Sequence, residues 1–343
     1  MKDPVESLFE DICDEEIEDT TTIDEGIENS TVIETSNNKY ILKIHDNIYY
    51  NSPGNFLAGP KIIDIVTNTT DIPVPEIIKY GKLDERTYYV MEYENGFHFD
   101  VDKNSFNLQL NIISEIGEYL AQLHNVDCNK EHFGWISYHE SKDSIYINNK
   151  FTSFKDLLCK QSHELNDSIR EGGKFSNMSD KKNRFSDCVS KIDRIVNYIQ
   201  DNVDINTEKK YCHNDYKYDN IIISEDKKVK CIIDWDSPMV ADPLYNVIQS
   251  ELNLISKYEI NNKITTDQKE KLQETFRKSY ESTRDKQINF NSPIVHISDF
   301  YYNLKFMNNF AHWMRYASNK EKQKTESYLS NKIDTHFNYF ILK

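Results

Sequence analysis

No stretch of the 343 residues approaches 18 consecutive apolar positions, so no membrane-spanning helix is expected. The opening, Met1-Lys2-Asp3-Pro4, lacks the basic segment followed by an apolar one that marks a secretory signal. The six cysteines (Cys13, Cys128, Cys159, Cys188, Cys212, Cys231) nowhere show CxxC spacing. Scattered thiols in a chain of this size read as reduced and buried, in a cytoplasmic protein. Cys212 beside His213, and Cys231 close to Asp234, are read as strand packing rather than as metal ligands. No repeat of fixed period is present. Basic residues are also short: the formal net charge is −16. The first 28 residues hold 12 acids and one lysine, leaving 45 acids and 40 bases in the other 315. The acidity therefore belongs mostly to one terminal segment. Such a balance excludes a nucleic-acid backbone as the main ligand, which needs a basic surface. A cationic small molecule is compatible with it but not demanded.

What is present is enough for a core. Hydrophobic residues make up 38% and aromatics 12%, which excludes global disorder. The length suits a two-lobed enzyme better than one compact domain. Val5, Leu8, Phe9, Ile12 and Ile17 recur at roughly helical spacing, predicting an acidic amphipathic helical extension over 1–22 that lays one face on the body of the protein. A partner-binding arm is the alternative. Ser30–Thr35 and Tyr40–Ile44 alternate and are β-branched, with Ser36-Asn37-Asn38-Lys39 between them as a turn, which predicts a hairpin. A short helix over 55–67 follows, then strands at 76–80 and 88–93. These elements predict a small antiparallel lobe over 23–94. Beyond it, 95–343 reads as a larger, mostly helical lobe. It has a buried helix at 106–124, a loop-rich polar tract with some helix at 138–180, a helix at 184–201, paired strands at 221–223 and 230–233, and helices over 243–342.

Two segments of the larger region carry chemistry. Residues 213–220 read His213-Asn214-Asp215-Tyr216-Lys217-Tyr218-Asp219-Asn220, and a short hairpin later comes Ile233-Asp234-Trp235-Asp236. Phosphoryl transfer needs an acceptor held in line, a carboxylate near the nucleophile, and cations to neutralise the phosphates. Asp215 suits the base. Lys217, two residues on, reaches toward the transferring phosphoryl. Asn220 offers a neutral amide oxygen and Asp234 a hard anionic one, both suited to Mg²⁺. A hairpin between Asn220 and Asp234 folds those two back onto one face. The bland alternative is a polar loop followed by an aspartate at a strand end.

The loop is similar to the His-Arg-Asp-Leu-Lys-Pro-Glu-Asn catalytic loop of eukaryotic-like kinases. Ile-Asp-Trp-Asp in place of Asp-Phe-Gly resembles more specifically the aminoglycoside phosphotransferase and choline kinase-like family. Other resemblances run from about residue 23 to 316. Gly26-Ile27-Glu28-Asn29-Ser30-Thr31 resembles that family's nucleotide-covering turn, although it is poor in glycine. Lys43 resembles its third-strand lysine, and Ile72-Pro73-Val74-Pro75 its linker after the small-lobe helix. Leu120-Ala121-Gln122-Leu123-His124 resembles the end of its long helix, and Ala241-Asp242-Pro243 its Gly-Asp-Pro.

The resemblance implies an α+β, bilobal protein kinase-like fold, with ATP (GTP as the alternative) and Mg²⁺ as cofactors and a small-molecule acceptor. It implies that Gly26, Asn29 and Ser30 cover the nucleotide and that Lys43 contacts the α- and β-phosphates. Met91, Glu92, Tyr93 and Glu94 would form the hinge that bonds adenine. Asp215 would be the base, Asn220 and Asp234 the Mg²⁺ ligands, and His213 a structural member of the loop. Asp236 is read either as helping to hold metal or substrate or as a solvated strand end. Two departures stand out. Gly59 falls where the family's small-lobe helix carries the glutamate that pairs with the lysine; Asp64 and Glu34 are the substitutes the sequence offers. Asn246 falls where an aspartate usually supports the catalytic loop. Glu251 and Asp299 are candidate grips for ammonium groups. The aromatics Phe300, Tyr301, Tyr302, Phe306, Phe310, Trp313 and Tyr316 line either an acceptor pocket or, as their helical spacing favours, the core. The expected activity is phosphorylation of a hydroxyl on an aminoglycoside or other antibiotic, an amino-alcohol or a sugar derivative. The rivals are a nucleotide-binding, pseudokinase-like regulator, motivated by Gly59 and the glycine-poor turn, and a protein kinase. Asp-Trp-Asp and the lack of a downstream Ala-Pro-Glu argue against the latter. Oligomeric state is not legible.

Overall fold

The helical pattern that opens the chain stops earlier than its apolar spacing suggests. In the computed structural model, which describes residues 4–13, 15–23, 29–45, 53–83, 86–174, 184–260 and 263–342, helix α1 covers Pro4–Cys13. Ile17 then begins a strand, β1 (Ile17–Ile23), and not another helical turn. Its run Asp19-Thr20-Thr21-Thr22-Ile23 is β-branched and pairs antiparallel with β2 (Asn29–Thr35). The expected 1–22 extension is thus a helix followed by an edge strand. Leu8, Phe9 and Ile12 of α1 are buried against Ile33, Tyr40, Leu42, Tyr88 and Val90 of the sheet. Phe9 is fully buried, with its ring 5.4 Å from that of Tyr40. Phe9→Ala is expected to destabilise the protein by about 3 kcal/mol, the usual cost of emptying a packed phenylalanine site. Denaturant titration checks it, and a change under about 0.5 kcal/mol, the scale of ordinary surface substitutions, would show that α1 is not part of the core.

The expected hairpin is present: β2 turns into β3 (Lys39–Ile44). Two helices follow, α2 (Pro53–Phe56) and α3 (Ala58–Thr69), then β4 (Ile77–Leu83) and β5 (Arg86–Glu92). The five strands form one antiparallel sheet in the order β1-β2-β3-β5-β4. Lys43 sits on the central strand, with Ser30 and Tyr89 as its register partners on either side.

The chain leaves this sheet past Gly96, where a Cβ would stand 2.5 Å from Ile222 Cγ2 and 2.7 Å from the Ile223 carbonyl. Only a residue without a side chain passes there, and it leads into β6 (Phe97–His98). Helix α4 (Phe106–Asn125) buries Ile112, Ile113, Ile116, Leu120 and Leu123, as its period requires. The polar tract that follows is more ordered than expected. A hairpin, β7 (Phe133–His139) and β8 (Ser144–Phe151), precedes a 17-residue helix, α5 (Phe154–Arg170). Then come α6 (Val189–Asn202), β9 (Lys210–Cys212), β10 (Ile221–Ile223), β11 (Val229–Ile232) and β12 (Met239–Ala241). The remainder is helical: α7 (Pro243–Ile260), α8 (Thr266–Thr283), α9 (Pro293–Asn308), α10 (Phe310–Trp313) and α11 (Asn319–Ile341). The architecture is a mixed α+β fold, an N-terminal antiparallel sheet followed by a mainly helical region. Among the described residues no helix is long and apolar enough to cross a membrane.

Candidate active site

Strands β10 and β11 form the hairpin expected between the two chemistry-bearing segments, with Ile221 opposite Ile232 and Ile222 opposite Cys231. The Ile233 N–H donates to the Asn220 carbonyl at 2.9 Å, which closes the hairpin's open end. The loops before and after it therefore lie side by side. Each carries one non-glycine residue in the left-handed region, Asn214 and Asp234, both at φ 66°. Asn and Asp tolerate this conformation best among residues with side chains, so the sequence and the backbone agree.

His213 ties the two loops together. Its Nδ1 accepts from the Asp215 N–H at 3.3 Å, so its Nε2 is the protonated nitrogen and donates to the Ile233 carbonyl at 3.0 Å. Burial lowers its pKa, against the pull of Asp215 and Asp234, so it stays neutral. The ring packs against Trp235 (4.4 Å) and Tyr216 (5.3 Å), and the Trp235 indole donates to the Ile232 carbonyl. These contacts hold the two loops against one another.

Asp215 is bonded on one side only. Lys217 Nζ lies 2.6 Å from Oδ2, and Asn220 Nδ2 donates to the same oxygen at 3.0 Å and to the Asp215 carbonyl at 2.8 Å. Oδ1 accepts no hydrogen bond among the described residues. Asn220 spends its amide hydrogens on Asp215, which leaves its own Oδ1 as an acceptor. Asp234, about one-third exposed, has Oδ1 3.5 Å from Lys43 Nζ. Burial opposes its ionisation, but the charges of Lys43 and Lys217 outweigh that and hold the carboxyl well below the usual range. Asn220 Oδ1 and Asp234 are thus two hard oxygen donors on adjacent loops. This donor set fits Mg²⁺, which takes one or two protein oxygens and completes its shell with phosphate and water. Among the described residues no group of three or more His, Cys, Asp and Glu side chains is placed to hold an ion unaided.

Lys43 on β3 meets its anions on the loop after β11. Its ammonium pairs with Asp236, and the Tyr89 hydroxyl donates to the other Asp236 oxygen at 2.6 Å. The two substitutes read from the sequence are engaged elsewhere: Asp64 with Lys61 and Tyr80, Glu34 with Lys39. Asp236 is buried, so it is not a solvated strand end. Neither Asp236 as lysine partner nor Tyr89 was read from the sequence; the one available signal was the missing side chain at Gly59.

The other expected positions fall as follows. Gly26 lies outside the described residues. Asn29 is described only as the first residue of β2, while Ser30 is buried beside Lys43 in the sheet. Met91 is buried at the end of β5. The N–H groups of Glu92 and Tyr93 are already bonded to the carbonyls of Glu76 and Lys39, so they are not available to a base. Glu94 follows with no backbone acceptor for its N–H among the described residues, and its carboxylate pairs with Lys230 at 3.1 Å. Among the described residues Asn246 makes no hydrogen bond to the loop of residues 213–220. It meets His124 at 3.2 Å, and His124 meets Tyr280 at 2.7 Å. The contact to the loop comes from its neighbour, for the Tyr245 hydroxyl donates to Asn214 Oδ1 at 3.0 Å. Asp242 starts α7: its carboxylate accepts from the Leu244 and Glu208 N–H groups, and Pro243 takes the first helical position.

Neither acid suggested for ammonium binding is free. Glu251 is buried and accepts both a guanidinium edge from Arg277 and an amide from Gln273, while Asp299 pairs with Lys332 and His336 at 3.3 Å each. Phe300, Tyr301 and Phe310 are core, whereas Trp313 and Tyr316 are exposed. The Tyr301 ring lies 6.0 Å from that of Tyr245. Lys305 lies one turn further along α9. Burial, opposed by Asp215 and aided by Lys217, lowers its pKa.

The phosphotransferase enzyme family (APH) matches this chain over residues 19–250. No curated protein sequence matches it. Among solved structures, a thermostable mutant of aminoglycoside phosphotransferase APH(4)-Ia, in ternary complex with AMP-PNP and hygromycin B, is 13% identical, with 100% of each chain covered and a TM-score of 0.63. A putative fructosamine-3-kinase from Haemophilus somnus 129PT is 15% identical, with 96% of each chain covered and a TM-score of 0.60. The streptomycin–ATP complex of APH(2'')-IIa is 16% identical, covering 99% of this chain and 100% of that one, with a TM-score of 0.57. At these identities the likeness establishes the kinase-like fold. The family match spans about two-thirds of the sequence and includes every residue from Lys43 to Asp236 just described, so the chain belongs to the APH phosphotransferase enzyme family.

Proposed function

We propose that the chain transfers the γ-phosphoryl group of ATP to a hydroxyl of a small molecule, with Mg²⁺. The observation that carries this is the asymmetry of Asp215: Lys217 and Asn220 hold Oδ2, while Oδ1 is left to take a proton. In the proposed reaction the acceptor hydroxyl donates to Asp215 Oδ1, which receives its proton as the oxygen attacks the γ-phosphorus and the bond from that phosphorus to the β–γ bridging oxygen breaks, the electron pair leaving with ADP. Lys217 turns from Oδ2 toward the phosphoryl oxygens, and Lys43 neutralises the α- and β-phosphates. Asn220 Oδ1 and Asp234 would hold Mg²⁺, which would supply positive charge to offset that of the phosphates. His213 keeps both loops in register without itself exchanging a proton. In the hinge, the Glu94 N–H is the donor to adenine, because those of Glu92 and Tyr93 are spent in the sheet. GTP is the alternative nucleotide.

The engagement of both candidate ammonium-binding acids favours an acceptor that is neutral or acidic over a polycation. Glu251 and Asp299 are engaged by internal partners, which takes up the two acids that could have gripped ammonium groups. The regulator reading loses one of its two motives, because Asp236 supplies the anion that Gly59 lacks. An ATP-consumption screen against aminoglycosides, macrolides, amino-alcohols, sugars and sugar acids, with Asp215→Ala as control, tests both points. Turnover is expected with a neutral or acidic hydroxyl compound and is expected to vanish in the variant. Signal surviving Asp215→Ala contradicts the assigned base. An aminoglycoside as the best acceptor contradicts the charge argument alone.

A further inference from the structure

The anion that faces Lys43 stands on a different element from the one where the fold usually provides it. We propose that Asp236 is the positioning residue for Lys43 and that Gly59 makes the space for it, which ties the nucleotide lysine to the cation-binding loop instead of to helix α3. The proposal rests on the kinase reading of the site.

Three contacts carry it. A Cβ on Gly59 would lie 2.8 Å from Asp236 Oδ1 and 3.1 Å from the Trp235 carbonyl, so any side chain there would displace the Asp236 carboxylate. Both Asp236 oxygens are engaged on the small-lobe sheet, one by Lys43 on β3 and one by Tyr89 on β5. Those two residues are register partners, and the Lys43 ammonium lies 5.6 Å from the Tyr89 ring centroid. Asp236 therefore docks onto a preformed pair of donors. It also follows Asp234 by two residues, with buried Trp235 between them fixed under His213. A carboxylate on α3 would let the position of that helix set the lysine. With Asp236 in its place, the lysine is set by the same loop that carries Asp234. When a cation takes Asp234, Lys43 keeps Asp236 as its anchor and is not left unpaired in a buried site.

Titration of a fluorescent ATP analogue in the presence of Mg²⁺ tests this without knowledge of the acceptor. Asp236→Asn, which keeps the shape and removes the charge, is expected to weaken binding about tenfold, the loss of a charge-assisted contact. Lys43→Met is expected to do the same, and the double variant to bind no more weakly than Lys43→Met alone, because Asp236 acts through Lys43. Gly59→Glu alone is expected to weaken binding, whereas Gly59→Glu with Asp236→Ala is expected to regain most of what Asp236→Ala loses, since the carboxylate is then supplied from α3. Thermal melts accompany each variant; if Asp236→Asn fails to fold, the Gly59→Glu/Asp236→Ala pair decides. The proposal is overturned by an Asp236→Asn protein that binds within twofold of the parent, by losses at 43 and 236 that multiply, or by a double swap no better than Asp236→Ala. A parent protein that binds no nucleotide overturns the kinase reading, and this proposal with it.

Discussion

Asp215→Asn is expected to lower turnover about a thousandfold while leaving nucleotide affinity within about threefold, since a positioned base contributes on that scale to proton transfer. The substitution keeps the side-chain shape and an oxygen able to accept from Lys217 and Asn220, which now meet Oδ2. What it removes is the charge at Oδ1, the atom that accepts no hydrogen bond among the described residues. The loss should therefore fall on kcat for the acceptor, with KM for ATP nearly unchanged, as for an interaction made only in the transition state. Steady-state kinetics with an acceptor found by the screen, together with nucleotide titration, separates the two. A large rise in KM for ATP with little change in kcat would place Asp215 on the nucleotide and not on the acceptor.

Asp234→Asn is expected to remove Mg²⁺-dependent nucleotide binding and to reduce kcat/KM by about a thousandfold, the scale of several kcal/mol of charge stabilisation at the phosphates. The backbone at position 234 is left-handed, and Asn adopts that conformation as readily as Asp, so the loop keeps its course. The change is one of charge. Because Lys43 and Lys217 depress the Asp234 pKa, the carboxylate is ionised throughout the working range, and cation binding should not weaken through its protonation between neutrality and about pH 5. The sign for stability follows. The folded-state pKa is below that of the unfolded chain, so the stabilisation is present above about pH 4 and is lost as pH falls further. Nucleotide titration with and without Mg²⁺ checks the main effect. Equal Mg²⁺ dependence in the variant and the parent would mean that the cation sits elsewhere.

The sequence disclosed much of this site because its residues are close in the chain or joined by a short hairpin. Asp215, Lys217 and Asn220 lie within six residues, and isoleucine runs on both sides of a turn announce the β-ribbon that returns to Asp234. Lys43 was legible as a residue on a strand of alternating, β-branched character. The misses share a cause. Ile17 falls on the apolar face of a helix by spacing, yet Thr20-Thr21-Thr22 favours a strand, and pairing with β2 decided the outcome. The β7–β8 hairpin is polar on its outer strand, so period-two alternation is weak there. The partner of Lys43 is 193 residues away, and no local pattern encodes such a contact. Gly59 hinted at it only as an absence, and the space it leaves is filled from the other lobe. Likewise the hinge looked like four equivalent residues, whereas sheet register spends two of their N–H groups.

The central claim is spatial: the loop of Asp215 to Asn220 and the loop of Asp234 to Asp236 share one cation and one triphosphate. The most direct test is a crystal grown with Mn²⁺ and a non-hydrolysable ATP analogue, with the ion located by its anomalous scattering. The expected result is a peak within coordination distance of Asn220 Oδ1 and the Asp234 carboxylate, with the γ-phosphate facing Asp215 and Lys43 on the inner phosphates. An ion bound away from Asp234, or a triphosphate remote from both loops, would contradict the account.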